Sequence, residues 1–211
     1  MKNYYSLSTL TLNFGTAGAA ATAVQAALQA DGASGELLGC FSTDIGVLNQ
    51  MLVLQSYTSL DALRAERERL LQSENPLGCV QHLARPIQFD SYEGFAWMPP
   101  MRPSAESGIS GPVYEIRTYG IRPGGLQKTI DLWQEYVPLR NKVSPCVGAM
   151  VALDGSPRFT NIWAYPTLDA RSKARADAVA QGIWPPKGGP AWLTTDMTST
   201  IALPTAVSPL R

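Results

Sequence analysis

Two short segments of the chain place charged and aromatic side chains at alternate positions. The segments are "VYEIRTYGI" (113–121) and "FTNIWAY" (159–165), and successive side chains of an extended strand point to opposite faces. The residues that share one face are Glu115, Arg117, Tyr119, Asn161, Trp163 and Tyr165. Aromatic rings with a few polar groups are typical of small-molecule pockets, and a guanidinium among them suits a carboxylate or another planar anion. These six residues are the predicted ligand site.

Two interpretations of the six residues stay open. In the first, they point into an enclosed space and bind a ligand. Arg117 then holds an anionic group, and Tyr119 or Glu115 is the proton-transfer candidate of any reaction. In the second, Glu115 and Arg117 pair with each other and the rings fill the core, because buried polar groups need partners in any fold. The sequence establishes no catalytic residue, so it leaves open whether the protein is an enzyme.

The sequence segments that form the elements positioning these residues occur twice in the chain. The paired segments, in chain order, are "YYSLSTLTL" and "VYEIRTYGI", "LLGCF" and "CVGAM", "YTSLDALR" and "YPTLDAR", and "HLARPIQFDSY" and "TIALPTAVSPL". Four matches in the same order indicate an internal duplication. Each copy ends a strand with Tyr and then supplies a Ser or Thr that can cap the following helix.

Hydrophobic periodicity predicts β-α-β-β-α-β in each copy, which is the ferredoxin-like arrangement. The predicted strands are 4–12, 37–43, 50–57, 81–89, 113–121, 146–153, 159–165 and 198–203. The predicted helices are 17–30, 59–72, 122–140 and 169–181. A Pro-, Ser- and Gly-rich segment separates the copies. We therefore expect a first domain at 1–97, a linker at 98–111 and a second domain at 112–211.

Three motifs of the chain resemble those of the NIPSNAP family. The residues matching its first motif are Tyr114, Glu115, Arg117, Thr118, Tyr119, Arg122, Pro123 and Gly124. The residues matching its second motif are Gly39, Thr43, Asp44, Gly46, Leu48 and Asn49. The residues matching its third motif are Trp163, Tyr165, Leu168 and Arg171. The resemblance covers both copies and nearly the whole chain.

This resemblance implies an α+β fold in which two tandem ferredoxin-like (βαββαβ) domains form a dimeric α+β barrel-type arrangement. The chain departs from the family pattern at Asn161 and Val53, where the family usually has His. The first-copy residues at the six site positions are Ser6, Ser8, Leu10, Val53, Gln55 and Tyr57. They are smaller and uncharged. Either the site belongs to the second copy, where we predict it, or the two copies have simply drifted apart. The family supplies no agreed catalytic residues to carry over.

Composition and motifs exclude several classes of partner. Seventeen Lys plus Arg balance seventeen Asp plus Glu, so no basic surplus favours nucleic acid. The chain lacks a phosphate-binding glycine motif, and a single histidine, His82, cannot form a metal cluster or an axial ligand within the second copy. Its three cysteines show no paired spacing. We therefore expect no cofactor and no metal.

The expected location is cytoplasmic, without membrane insertion, because no long apolar segment occurs. We expect a small-molecule ligand in the barrel, which is either only bound or converted by cofactor-independent catalysis. The alternative is a non-catalytic assembly module, because sheet edges associate readily and a homo-oligomer would result. The Pro-rich segment 182–192 has three interpretations, namely a lid over the barrel mouth, an oligomer contact or a packed surface loop.

Overall fold

The eight strands of the chain close into one antiparallel barrel, and a computed structural model describes residues 3–211. The strands are β1 (Tyr4–Thr11), β2 (Glu36–Ile45), β3 (Gln50–Tyr57), β4 (Gln88–Gly94), β5 (Val113–Ile121), β6 (Cys146–Ala152), β7 (Arg158–Tyr165) and β8 (Leu193–Pro204). The helices are α1 (Ala17–Leu28), α2 (Leu60–Gln72), α3 (Ser104–Ser107), α4 (Leu126–Arg140) and α5 (Leu168–Ala180). Residues 1 and 2, with which the predicted first domain begins, lie outside the described residues.

The strand order confirms the predicted fold class. Each half forms a four-stranded sheet, in the order β4-β1-β3-β2 and β8-β5-β7-β6, and the sheets join through the β2–β8 and β4–β6 pairs. The barrel therefore closes within a single chain. Strand β8 begins at Leu193, earlier than the predicted residue 198, and extends its pairing with β5. None of the helices in residues 3–211 has the length and apolar character needed to cross a bilayer.

The strand-to-helix corner recurs in both halves, as the repeated phrase predicts. A tyrosine ends β3 and β7, and an extended residue then caps the next helix. The Ser59 hydroxyl accepts a hydrogen bond from the Ala62 N–H at 3.1 Å. The Thr167 hydroxyl accepts one from the Ala170 N–H at 3.0 Å. Each cap satisfies a backbone donor that the first turn of a helix leaves unpaired.

The fourth strand differs from the sequence prediction. It spans Gln88–Gly94, so the predicted strand 81–89 is wrong over most of its length. The chain before it forms two one-turn 3₁₀-helices, Pro76–Gly78 and Val80–His82. This local structure buries Leu77 in the cluster that packs on α1, and burial of this apolar side chain outweighs the alternating pattern that suggested a strand.

Side chains fill the interior of the barrel. The rings of Phe41 and Tyr114, from opposite halves, lie with their centroids 4.8 Å apart. Every strand contributes at least one buried residue to this central cluster. Two further apolar clusters lie outside the barrel, between the sheet and the helices of each half. Both faces of the sheet are therefore buried.

Ionic contacts connect the two halves beside the β4–β6 seam. Arg67 of α2 contacts Asp154 at 2.5 Å and donates a hydrogen bond to Ser91 at 2.7 Å. Arg158 contacts Asp90 at 2.8 Å and Asp154 at 3.3 Å. Because these contacts join residues of β4 and α2 to the β6–β7 hairpin, they hold the second half in a defined orientation on the first.

Candidate functional site

The structure brings the six predicted site residues together on one face of the β5–β7 pair. Glu115 lies opposite Trp163, and Arg117 lies opposite Asn161. The Trp163 indole N–H donates a hydrogen bond to the Asn161 side-chain oxygen at 2.8 Å. The Asn161 amide in turn donates to the Arg117 carbonyl at 3.2 Å. These contacts fix the rings and the polar groups relative to each other.

This face is the helix-covered outer face, so the prediction that it points into the barrel is wrong. Trp163 packs near Trp133 of α4, with ring centroids 6.3 Å apart. The opposite face of the same strands, with Ile116 and Ile162, occupies the barrel interior. Alternation shows which residues share a face, but it does not show which face meets the helices. Since both faces are buried, apolar residues occur on each and hydropathy does not distinguish them.

On this outer face, three arginines lie near the buried carboxylate of Glu115. Glu115 is fully buried and accepts hydrogen bonds from Arg117, from Arg171 at 2.6 Å and from Ser199 at 2.9 Å. Arg175 lies 3.9 Å from the same carboxylate oxygen. One negative charge therefore faces three positive charges, which leaves a local excess of positive charge.

The carboxylate of Glu115 stays ionised at neutral pH. Burial alone would raise its pKa, but the hydrogen bond from Arg171 and the charge of Arg117 outweigh burial and lower the pKa to about 2. A carboxylate in this state does not take a proton from a ligand at neutral pH. These contacts favour the positioning of the arginines as the role of Glu115, and proton transfer by this residue stays a prediction.

Arg117 contacts both the carboxylate of Glu115 and the phenol of Tyr119. Its Nε donates a hydrogen bond to the Tyr119 hydroxyl, and its guanidinium carbon lies 5.3 Å from the centre of the Tyr119 ring. Burial would lower the pKa of Arg117, but Tyr119 and Glu115 keep this pKa above its usual value. Because the Tyr119 oxygen accepts from Arg117, the hydroxyl proton can be donated to another group.

A cavity of about 220 Å³ lies between this face and helices α4 and α5. Arg117 and Tyr119 line it from the sheet, and Arg175 lines it from α5. Its apolar lining includes Leu132, Trp133, Val179, Trp184, Leu193 and Met197. The cavity therefore combines apolar walls with two guanidinium groups. No group of three or more His, Cys, Asp or Glu residues that could hold a metal ion occurs within residues 3–211.

The segment 182–192 covers this outer cavity, and its tryptophans make the principal contacts. The ring of Trp184 meets that of Trp133 edge-on, with centroids 5.0 Å apart. The Lys128 ammonium lies 3.7 Å from the centre of the Trp192 ring. Among the three interpretations of this segment, its contacts within the chain are those of a packed loop. This loop forms one wall of the cavity.

Of the six predicted residues, Arg117 and Tyr119 line the cavity. Glu115 and Asn161 hydrogen-bond to Arg117, and Tyr165 and Trp163 donate hydrogen bonds to Glu115 and Asn161 in turn. The predicted site left out Arg171 and Arg175 of α5, although Arg171 matches the third family motif. Their spacing of four residues was a further signal, because it places both on one side of a helix. That side also carries the buried Ala174 and Ala178, so the arginines border the face that packs on the sheet.

The matching face of the first half holds a much smaller cavity, of about 10 Å³, beside Ser6 and Tyr57. Ser8 and Gln55 occupy the positions of Arg117 and Trp163, and both are fully buried. The alanine-rich α1 packs close to this part of the sheet, and Leu77 fills the adjacent space. Among the described residues, the arginine-lined cavity therefore belongs to the second half.

Comparison with known proteins matches the chain to a family model, to a curated relative and to solved structures of the same fold. A family model described as NIPSNAP matches residues 5–87 and 114–209. A curated relative from Dictyostelium discoideum, described as a protein NipSnap homolog, is 26% identical over 149 residues. The match covers 70% of this chain and 65% of that relative, so the chain spans less than two thirds of the relative's length.

Two solved structures share the fold over nearly the whole chain. A putative monooxygenase from Lactobacillus acidophilus superposes with a TM-score of 0.65 at 7% identity, covering 97% of this chain and 94% of that one. An anthrone oxidase-like protein superposes with a TM-score of 0.63 at 11% identity, covering 96% and 91%. At these identities the likeness shows the fold alone.

Proposed function

The chain belongs to the NIPSNAP family, and we propose that it binds a small organic anion with an aromatic or apolar body in the cavity of its second half. The observation that carries this proposal is the pair of arginines, Arg117 and Arg175, at the wall of a mostly apolar cavity. Guanidinium groups bind carboxylates through paired hydrogen bonds, and they do so more strongly where water is excluded.

The size of the cavity limits the ligand. A dry apolar cavity of about 150 Å³ is sufficient for benzene. The cavity of about 220 Å³ therefore suits one aromatic ring with a small anionic substituent. The fold alone does not decide whether the bound molecule reacts. If it does, Tyr119 is the residue of this chain placed to transfer a proton.

The assembly alternative draws on different features. The filled barrel interior agrees with it, and Ile45, Val47 and Leu48 expose apolar side chains at the β2–β3 hairpin. These few residues form a small patch, whereas the cavity brings charged and apolar groups together in one concave site. Ligand binding is therefore the better supported function. A homo-oligomer stays a prediction, and light scattering that gives the mass of one chain would contradict it.

Arg175→Ala is expected to weaken the binding of benzoate about 10- to 100-fold, since a hydrogen bond between charged groups contributes about 1.5–3 kcal/mol. Arg175 is a better probe than Arg117, because it is 40% exposed and lies farther from Glu115. Its loss leaves the buried carboxylate paired with Arg117 and Arg171. Isothermal titration calorimetry of the wild type and the variant measures the change.

Lys173→Ala is the matched control for this measurement. Lys173 lies on the same helix, carries the same charge and pairs with Asp177 on the exposed side. Its removal changes the net charge equally but leaves the cavity intact. Equal loss of benzoate affinity in both variants would show a long-range charge effect and would contradict the proposed contact.

A further inference from the structure

The hydroxyl of Thr129 is a buried polar group without a hydrogen-bond partner among residues 3–211. Thr129 lies in the first turn of α4, its side chain is 3% exposed, and it lines the cavity. A buried hydroxyl that makes no hydrogen bond destabilises the folded chain, so such groups are rare and indicate a missing partner.

Other helical hydroxyls of the chain are satisfied by their own helix. The Thr22 hydroxyl donates to the Gly18 carbonyl at 3.2 Å, and the Ser172 hydroxyl donates to the Leu168 carbonyl at 3.0 Å. Thr129 makes no such bond, although its backbone N–H binds the Gly125 carbonyl at 2.9 Å. Within the described residues, it is also the only side chain with an unpartnered buried atom that lines this cavity.

Thr129 lies on a different wall of the cavity from the two arginines. It stands beside Leu132 and Trp133 on the α4 wall, whereas the two cavity arginines stand on β5 and α5. A threonine in a helix populates two χ1 rotamers. The hydroxyl oxygen is shielded from the cavity in the structure, so recognition of a ligand oxygen requires rotation about χ1. A valine of the same shape would suit a wall that only had to be apolar.

We infer that the ligand is an aromatic acid with a second oxygen substituent, a hydroxyl or carbonyl on the ring, which Thr129 recognises by a hydrogen bond. This inference rests on the proposed function and specifies its ligand class. The anionic group binds Arg117 and Arg175, and the second oxygen meets Thr129 on another wall. Two polar contacts on different walls fix the orientation of a ring that apolar contacts alone would leave free to rotate.

The test compares benzoate with 2-, 3- and 4-hydroxybenzoate on three proteins: the wild type, Thr129→Val and Thr129→Ser. The ratio of the benzoate dissociation constant to that of the best hydroxybenzoate measures recognition of the second oxygen. We expect a ratio of about ten for the wild type, a ratio near one for Thr129→Val and recovery in Thr129→Ser. Thermal unfolding of ligand-free Thr129→Val is expected at or above the wild-type temperature, because an unsatisfied group has been removed.

The results that would contradict the role of Thr129 differ from those that would contradict the proposed function. A ratio that stays near ten in Thr129→Val, or a ratio near one in the wild type, would overturn the role of Thr129 while leaving anion binding in place. If the wild type binds neither benzoate nor any hydroxybenzoate, the proposed function falls and this inference falls with it.

Discussion

Replacing Glu115 by Gln is expected to lower the free energy of unfolding by about 3–5 kcal/mol at pH 7, because removal of one partner leaves buried charges uncompensated. The side chains of Arg117 and Arg171 are 17% and 22% exposed, so water does not replace the lost carboxylate. For a chain of this length the midpoint of thermal unfolding is expected to fall by roughly 10 °C. Differential scanning calorimetry measures this change.

The lowered pKa of Glu115 means that the free energy of unfolding falls in acid. The pKa of Glu115 is about 2 in the folded chain against 4.5 for an unperturbed Glu. A lowered pKa contributes stability that is fully present above pH 4.5 and is lost as the pH falls toward 2, a difference of about 3 kcal/mol. The wild type is therefore expected to lose its advantage over Glu115→Gln across this interval, and urea denaturation at several pH values measures it.

Glu68→Gln serves as the control for both measurements. Glu68 is exposed on α2 and contacts Gln72 within its own helix, so its neutralisation is expected to change stability by less than about 0.5 kcal/mol. A constant gap between the wild type and Glu115→Gln from pH 7 to pH 2 would contradict the ionised, arginine-paired state of Glu115.

Filling the cavity is expected to abolish ligand binding, with a loss of roughly 100-fold or more in benzoate affinity. Leu132→Trp replaces a leucine side chain on the α4 wall with a larger indole ring, which takes up space that the ligand would occupy. Because the added atoms enter an existing cavity, we expect the fold to survive with little loss of stability. Calorimetric titration gives the affinity, and circular dichroism confirms the fold.

Leu132→Met is the matched control, because it conserves side-chain volume and leaves the cavity open. It is expected to bind benzoate within about threefold of the wild type. A folded Leu132→Trp variant that binds benzoate as tightly as Leu132→Met would place the ligand elsewhere on the protein.

The strands and helices follow from local patterns and could be predicted well. Strand β5 has the predicted limits 113–121, and the Ser59 and Thr167 caps begin α2 and α5 as expected. These features depend on residues close in sequence, such as alternating apolar side chains and a hydroxyl three residues before a backbone donor. The start of β4 could not be predicted in this way, since it depends on the burial of Leu77 against a distant helix.

The membership of the candidate site could be predicted in part, but its location could not. Alternation grouped Glu115, Arg117 and Tyr119 with the β7 residues, as the register shows. It assigned the group to the wrong side of the sheet. The deciding contacts, such as Trp133 against Trp163 and Arg171 with Glu115, join segments far apart in sequence. No local pattern contains this information.

Anion binding in the cavity of the second half is tested most directly by a crystal structure with bound 4-iodobenzoate, located by the anomalous scattering of iodine. We expect one strong iodine peak in the cavity between the β5–β7 face and helices α4 and α5. The carboxylate should lie within hydrogen-bond distance of Arg117 or Arg175. An iodine peak inside the barrel or on the first half, or no peak in crystals soaked to saturation, would contradict an anion-binding cavity on the outer face of the second half.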